Sequence, residues 1–336
     1  MIAQTHSWNT YSSVHLYNPI GENNTIDARQ LTNTVRILEP HVDLYHVHNE
    51  PNWIFEVTKR ATGKPVVFDI HDWTSLRRVM EPPANEIEAE KFALEHADGF
   101  CVPTNGYYKR INELTQKPTV MVPSKVGSWL FPDMPKKVGG FVYAGGLSSG
   151  EDSNINYAYR DWSEFAKELA EKIPVYCYTA NPMEPGKYKH ENIHIAGPLV
   201  YPEMLRSIAQ HSVGIVGSPI KLLDFEDSLP NKLFEYISAG IPVIVLNSPE
   251  AKAYVEERKL GVGVADAKEA IEAYEMLSRD YDVTKARWEY AMEAELPKLT
   301  GFYREVLGQC INVNVVPPQH QANPSDQAGQ KEAKTE

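Results

Sequence analysis

The sequence predicts an α/β protein with two Rossmann-like, doubly wound domains facing a cleft. Three observations carry this. Short apolar runs rich in Val, Ile and Phe alternate with stretches of helical spacing, the pattern of parallel sheets layered with helices. The alternation comes in two series, parted at residues 132–137 by a Pro- and Lys-rich break that reads as a linker. Sheets of this kind bind ligands outside the carboxyl ends of their strands, so two in succession place a cleft between them.

The expected boundaries are residues 1–135 for the first domain and 136–280 for the second. Residues 281–310 form a terminal helix and 311–336 a disordered tail, Pro-, Gln- and Lys-rich without periodicity. In the first series, residues 1–5 and 12–17 are brief strands and residues 27–38 a helix with Leu31, Val35 and Leu38 aligned. Strands follow at 43–48, 65–70, 99–102 and 119–123, with helices at 54–61, 86–96 and 104–114 between them. The second series has strands at 140–144, 174–178, 192–196, 213–216, 241–246 and 261–264. Its helices are at 160–171, 202–210, 251–259 and 268–278, with one more from about Pro230 to Ala239. Residues 281–306 read as one long helix, kinked or split at Pro297.

Bulk properties narrow the class. A chain of 336 residues that is 42% hydrophobic and carries 18 Tyr builds sizeable cores. A net charge of −12 argues against bulk attraction to nucleic acid or anionic membrane. Cys101, Cys177 and Cys310 are odd in number and lack CxxC spacing, which argues for a reducing compartment and against zinc. The first twenty residues have no leader pattern, and no apolar run reaches the roughly 20 residues a spanning helix needs. The expectation is a cytoplasmic protein.

The chemistry centres on residues 229–246. Pro230 suits a first helical turn, Gly240 the left-handed position past its end, and residues 241–246 a buried parallel strand. Leu233, Phe234 and Ile237 share one face, while Ser228, Asn231, Lys232, Glu235 and Ser238 share the other. A helix N-terminus attracts phosphate, and a carboxylate accepts hydrogen bonds from a vicinal diol such as a ribose. Asp227 precedes Glu235 by eight positions, up to ~12 Å on a helix, the span of a ribose, a diphosphate and a hexose. The helix is therefore a candidate nucleotide-sugar site. The spacing alone is also that of a solvated Lys–Glu pair worth a few tenths of a kcal/mol.

Pro230-Asn231-Lys232, Glu235-Tyr236, Ala239-Gly240 and Pro242-Val243-Ile244 resemble the donor-site signature of GT-B glycosyltransferases of the retaining family 4 type. A weaker resemblance runs from about Asp43 to about Tyr303. It implies a metal-independent hexosyl transfer, with retention, from a nucleoside-diphosphate sugar to a carbohydrate or lipid-linked acceptor. That activity belongs to polysaccharide biosynthesis, needs no cofactor and leaves room for peripheral membrane contact. Asp227 and Glu235 match its acid pair, with Asp where Glu is usual. His71 matches its acceptor-side histidine, with His48 and Asp72 alongside as acceptor-side residues. Implied donor residues are Gly145, Gly146, Leu199, Asn231, Lys232, Leu233 and Glu235. Gly145 and Gly146 follow a strand, where the absence of Cβ lets amides approach a diphosphate, as it equally would in an ordinary turn. Similar transferases place an Arg and a Lys after that loop. Here Glu151-Asp152-Ser153 intervene, which shifts phosphate neutralisation to Arg160, Lys221 and Lys232. The Gly-rich turn with which related chains begin has no counterpart before Asn18, so either a trimmed acceptor side or a truncated start is expected. His46, His48 and Glu50 sit at a strand end with spacing that would suit a metal, but the resemblance implies none. A non-catalytic scaffold that kept the fold, or a sugar-nucleotide epimerase, are the alternatives.

Overall fold

The structure is a computed structural model that describes residues 2–3, 15–16, 27–49, 51–76, 82–148, 159–179, 186–222 and 225–308. The expected turn at residues 18–21, Glu50, Glu151-Asp152-Ser153 and the tail lie outside the described residues.

Strands β1 (Ile2–Ala3) and β2 (His15–Leu16) pair in parallel. Helix α1 (Ala28–Leu38) starts at Asp27, whose carboxylate caps the Arg29 amide. The chain then alternates through β3 (Tyr45–His48), α2 (Trp53–Ala61), β4 (Val66–Asp69), α3 (Ala84–His96), β5 (Gly99–Val102), α4 (Asn105–Leu114) and β6 (Thr119–Met121). The four strands β3 to β6 form a parallel sheet in chain order. Side chains alternate across it, as strand geometry requires. Phe68, Phe100 and Val102 pack with α1 to α4 through Val35, Phe55, Ala93 and Ile111. Val67 and Cys101 point the other way.

The second series runs β7 (Phe141–Ala144), α5 (Ser163–Ala170), β8 (Val175–Tyr178), β9 (Ile193–Ala196), α6 (Glu203–Ile208) and β10 (Val213–Gly217). It continues with α7 (Asn231–Ser238), β11 (Val243–Leu246), α8 (Pro249–Glu257), β12 (Gly261–Val264) and α9 (Ala267–Asp280). Its six-stranded sheet is parallel in the order β12-β11-β10-β7-β8-β9. The chain winds outward from β7 to β9, returns to β10 and winds the opposite way. Helices α6, α7 and α8 cover one face, with Leu205, Leu233, Phe234 and Val255 buried; α5 and α9 cover the other. The crevice at the reversal, outside the ends of β7 and β10, is where such sheets bind ligands.

The terminal helix is a correction. Residues 281–306 are not one helix: α10 (Val283–Ala286) gives way to two short 3-10 turns, and α11 (Leu296–Val306) begins anew. Pro297 lies in the first turn of α11, where its missing N–H costs nothing, so it starts a helix instead of kinking one. Helix α11 does return to the first sheet. Phe302 and Val306 pack on the face carrying Val67 and Cys101, and a Cβ on Gly99 would strike both of them. Helices therefore cover both faces of the first sheet, but the second face is covered from the far end of the chain.

Among the described residues no helix is long and apolar enough to cross a membrane. Cys101 and Cys177 are buried free thiols.

Candidate active site

Helix α7 follows β10 and points its amino end into the reversal crevice. Pro230 is extended and stands just before the helix, one position earlier than its usual first-turn place. Gly240, at φ +71°, ends it as the sequence anticipates. Asp227 and Ser228 lie on the preceding turn and not on the helix, so the polar stripe begins at Asn231.

A buried tyrosine fixes α7 against the sheet. The Tyr236 ring lies on Gly214 of β10, where a Cβ would stand 2.5 Å from it. Its hydroxyl accepts the Ala144 amide of β7 at 2.8 Å. The helix is thereby registered to the strand that carries the glycine loop. Lys232 Nζ donates to the Tyr143 hydroxyl at 3.1 Å and lies 4.2 Å from that ring's centre. The same hydroxyl donates to the Gly146 carbonyl at 3.1 Å. A Cβ on Gly145 (φ +156°) would stand 3.0 Å from Lys232 Nζ, and one on Gly146 would stand 3.0 Å from the Arg160 guanidinium. Two cations thus flank two glycines at the end of β7. Lys221 is exposed, and nothing described ties it to this loop.

Glu235 is half-buried, one turn along from Asn231. Its carboxylate makes no hydrogen bond to any described residue. Burial pushes its pKa up, and the Lys232 charge pulls the other way without prevailing. Leu199 is half-buried in the loop after β9, where Gly197 leaves no room for a Cβ against the Thr179 carbonyl. That loop reaches α7 through Tyr201, whose pKa is raised by burial and by the Glu235 charge. Asn231 is exposed. Leu233 is a core side chain, and its amide is taken by the Pro230 carbonyl at 2.9 Å.

Asp227 is placed elsewhere. Its carboxylate accepts from Arg110 Nε at 3.0 Å and Nη2 at 2.7 Å, across to α4. Beside it, Glu250 of α8 accepts the Asn105 and Gly106 amides at 2.6 and 3.0 Å, capping α4 from the other half of the molecule. This clasp joins the two sheets' layers, and nothing in the local spacing announces it.

His71 follows β4 and meets His48 and Asp69. His48 Nδ1 lies 2.9 Å from His71 Nε2 and 3.0 Å from Asp69 Oδ2. Burial disfavours the charged imidazolium of His71, but the adjoining Asp69 carboxylate outweighs it and raises the pKa. Burial likewise opposes the Asp69 charge, and bonds from His46, His48 and His71 overcome it, holding the carboxyl well below the usual range. Asp72 is exposed beside this group. Trp73 nearby is buried and packs edge-on against Tyr107.

Comparison with known structures decides the architecture. A sucrose-phosphate synthase from Thermosynechococcus elongatus superposes with a TM-score of 0.64 at 13% identity, covering 88% of this chain and 83% of that one. A glycosyltransferase from Rickettsia africae gives 0.61 at 12%, covering 88% and 86%. Anabaena HepE in complex with UDP-glucose gives 0.59 at 11%, covering 87% and 86%. The fold is GT-B. Residues 155–294 also match the family model described as "Glucosyltransferase 3-like, C-terminal domain". A search of curated proteins returned no match. The matched segment holds α7, so the GT-B crevice, the Lys232–Glu235 helix and the family match coincide in one half of the chain.

Proposed function

We propose that this chain is a glycosyltransferase that moves a hexosyl group, with retention, from a nucleoside-diphosphate sugar to a carbohydrate or lipid-linked acceptor. The observation that carries the reading is the convergence of Lys232 and Arg160 on Gly145 and Gly146, with Glu235 one turn further along α7. A diphosphate needs cationic partners and close backbone approach, and this loop offers both. A ribose diol needs a strong acceptor, and the Glu235 carboxylate, which bonds to no described residue, offers one. That HepE forms complexes with UDP and UDP-glucose on the same fold supports the donor class.

In this reading no protein nucleophile takes part. The departing diphosphate draws the acceptor proton on the face where the new bond forms. Lys232 and Arg160 stabilise the charge that develops on it, and the cleft supplies position. His71, at the acceptor side, contacts the transferred sugar. Asp227 reaches the sugar hydroxyls only when Arg110 releases it, which makes the clasp the closed and unloaded arrangement. No metal or cofactor has a part in this step.

A second reading has one observation in its favour. Asp227 is paired with Arg110, as befits a binding subunit that kept the fold without the reaction. Calorimetry with UDP-, GDP- and ADP-sugars, followed by product analysis, separates the two. Tight binding of one donor and its transfer or hydrolysis by wild type, lost in Glu235→Ala, supports the enzyme. Equal rates for the two proteins would end the assignment, and epimerised donor without transfer would replace it with an isomerase.

A further inference from the structure

The strands β3 and β4 carry matching patterns, His46-Val47-His48 and Asp69-Ile70-His71. Alternation along a strand sends His46 and His48 to one side, and Asp69 to the same side of the neighbouring strand. The register pairs His48 directly with Asp69. His71, two residues on, turns back onto them. His46 Nε2 lies 2.9 Å from Asp69 Oδ2, His48 Nδ1 lies 3.0 Å from it, and His71 Nε2 3.4 Å. His48 Nδ1 and His71 Nε2 are 2.9 Å apart. The donor atoms of His46, His48 and Asp69 all lie within 4.8 Å of one another, and His71 Nε2 adjoins the last two.

Hydrogen bonding alone serves this arrangement poorly. Neutral imidazoles offer one N–H each, and even a charged His71 leaves His48 Nδ1 facing both His71 Nε2 and the carboxylate. A divalent cation would take a lone pair from every one of the four. We propose that His46, His48, Asp69 and His71 form a binding site for a divalent transition-metal ion of the zinc type. Around such an ion, with bonds of about 2.0–2.1 Å, tetrahedral ligand atoms stand roughly 3.3 Å apart. The three separations from Asp69 Oδ2 and the one between His48 and His71 differ from that by less than half an ångström. Imidazole donors select zinc or its transition-metal neighbours over magnesium and calcium, which prefer oxygen.

The surroundings match such a site. His46 Nδ1 lies 2.6 Å from the Tyr303 hydroxyl of α11, a partner that would fix the proton there and leave Nε2 free for the ion. The Asp69 side chain is 7% exposed, whereas those of His48 and His71 are 63% and 39% exposed, so an ion has an open route in. The ion would pin the turn bearing His71 to the sheet. The site shares His48 and His71 with the acceptor side of the proposed transfer, but its test needs no sugar donor and stands whatever becomes of that reading.

The test is titration of the untagged, chelator-treated full chain with Zn2+ by calorimetry, and with Co2+ followed by its visible absorption. One equivalent is expected, with the intense absorption of a tetrahedral site and no competition from excess Mg2+. His48→Ala, on an exposed side chain, should abolish stoichiometric binding while leaving the circular dichroism unchanged. Tyr303→Phe should weaken binding roughly 10- to 100-fold, the usual loss for an outer partner of a ligating histidine. Absence of a one-to-one complex in wild type, or an unchanged complex in both His46→Ala and His48→Ala, would overturn the proposal.

Discussion

Replacing Glu235 with Gln should raise stability and lower donor affinity together. The carboxylate is half-buried, lacks a hydrogen bond to any described residue, and has its pKa raised by burial against the pull of Lys232. Neutralising it removes a desolvation cost that Lys232 offsets only in part, a gain on the order of 1 kcal/mol. For a chain of 336 residues that is about 1–2 °C in Tm. The same change replaces charge-assisted acceptance from a ribose diol by a neutral amide. Such bonds contribute about 1.5–3 kcal/mol net, so Kd for the nucleotide-sugar should rise roughly 10- to 150-fold. The pH dependence follows from the sign of the shift. A raised folded-state pKa means that the folded protein holds this proton more tightly than the unfolded chain. Its contribution is therefore fully present below the unfolded pKa and lost as pH rises through the folded one. Donor binding runs the opposite way, because the diol needs the ionised form, and weakens as pH falls through the folded value. Thermal denaturation and calorimetry at several pH values read both trends, and both should vanish in the variant. A variant that binds donor like wild type, or that loses stability, refutes the assignment of this carboxylate to a ligand.

Lys232→Met should weaken nucleotide-diphosphate binding by one to two orders of magnitude and leave nucleoside binding nearly unchanged, as paired calorimetric titrations would show. Tyr236→Phe strands the buried Ala144 amide, so urea denaturation should report a loss of about 1–3 kcal/mol with little change in slope. Gly217→Ala combines φ +100° with a Cβ 1.8 Å from the Leu246 carbonyl, and soluble yield should collapse.

The features legible in the sequence were those written over short distances. The start and stop of α7 followed from Pro230 and Gly240, and the alternation of the second series from runs such as residues 241–246. The absence of a cationic pair after Gly146 pointed to Arg160, Lys221 and Lys232 as substitutes; Arg160 and Lys232 lie by this loop, while nothing described ties Lys221 to it. What escaped depended on distant partners. Asp227 was read against Glu235, eight residues away, while its ion pair is with Arg110, which no periodicity relates to it. Tyr236 stood out in the sequence only as part of the signature, and its anchoring role was hidden because its hydroxyl's partner sits on a strand nearly a hundred positions earlier. Asp69 was passed over as a strand residue, since only the β3–β4 register reveals the three imidazoles around it. Residues 281–306 kept helical spacing throughout, yet tertiary contacts broke them into pieces.

The return of α11 sets a timetable for biosynthesis. The first sheet is complete when Met121 leaves the ribosome, but the apolar cover for Val67 and Cys101 starts only at Leu296. At roughly 5–20 residues per second, that surface stays bare on the order of 10–35 s in every round of translation. A nascent chain of this design is a natural client for a holdase. A stop codon upstream of α11 would leave a sticky half-molecule however well the second sheet had formed.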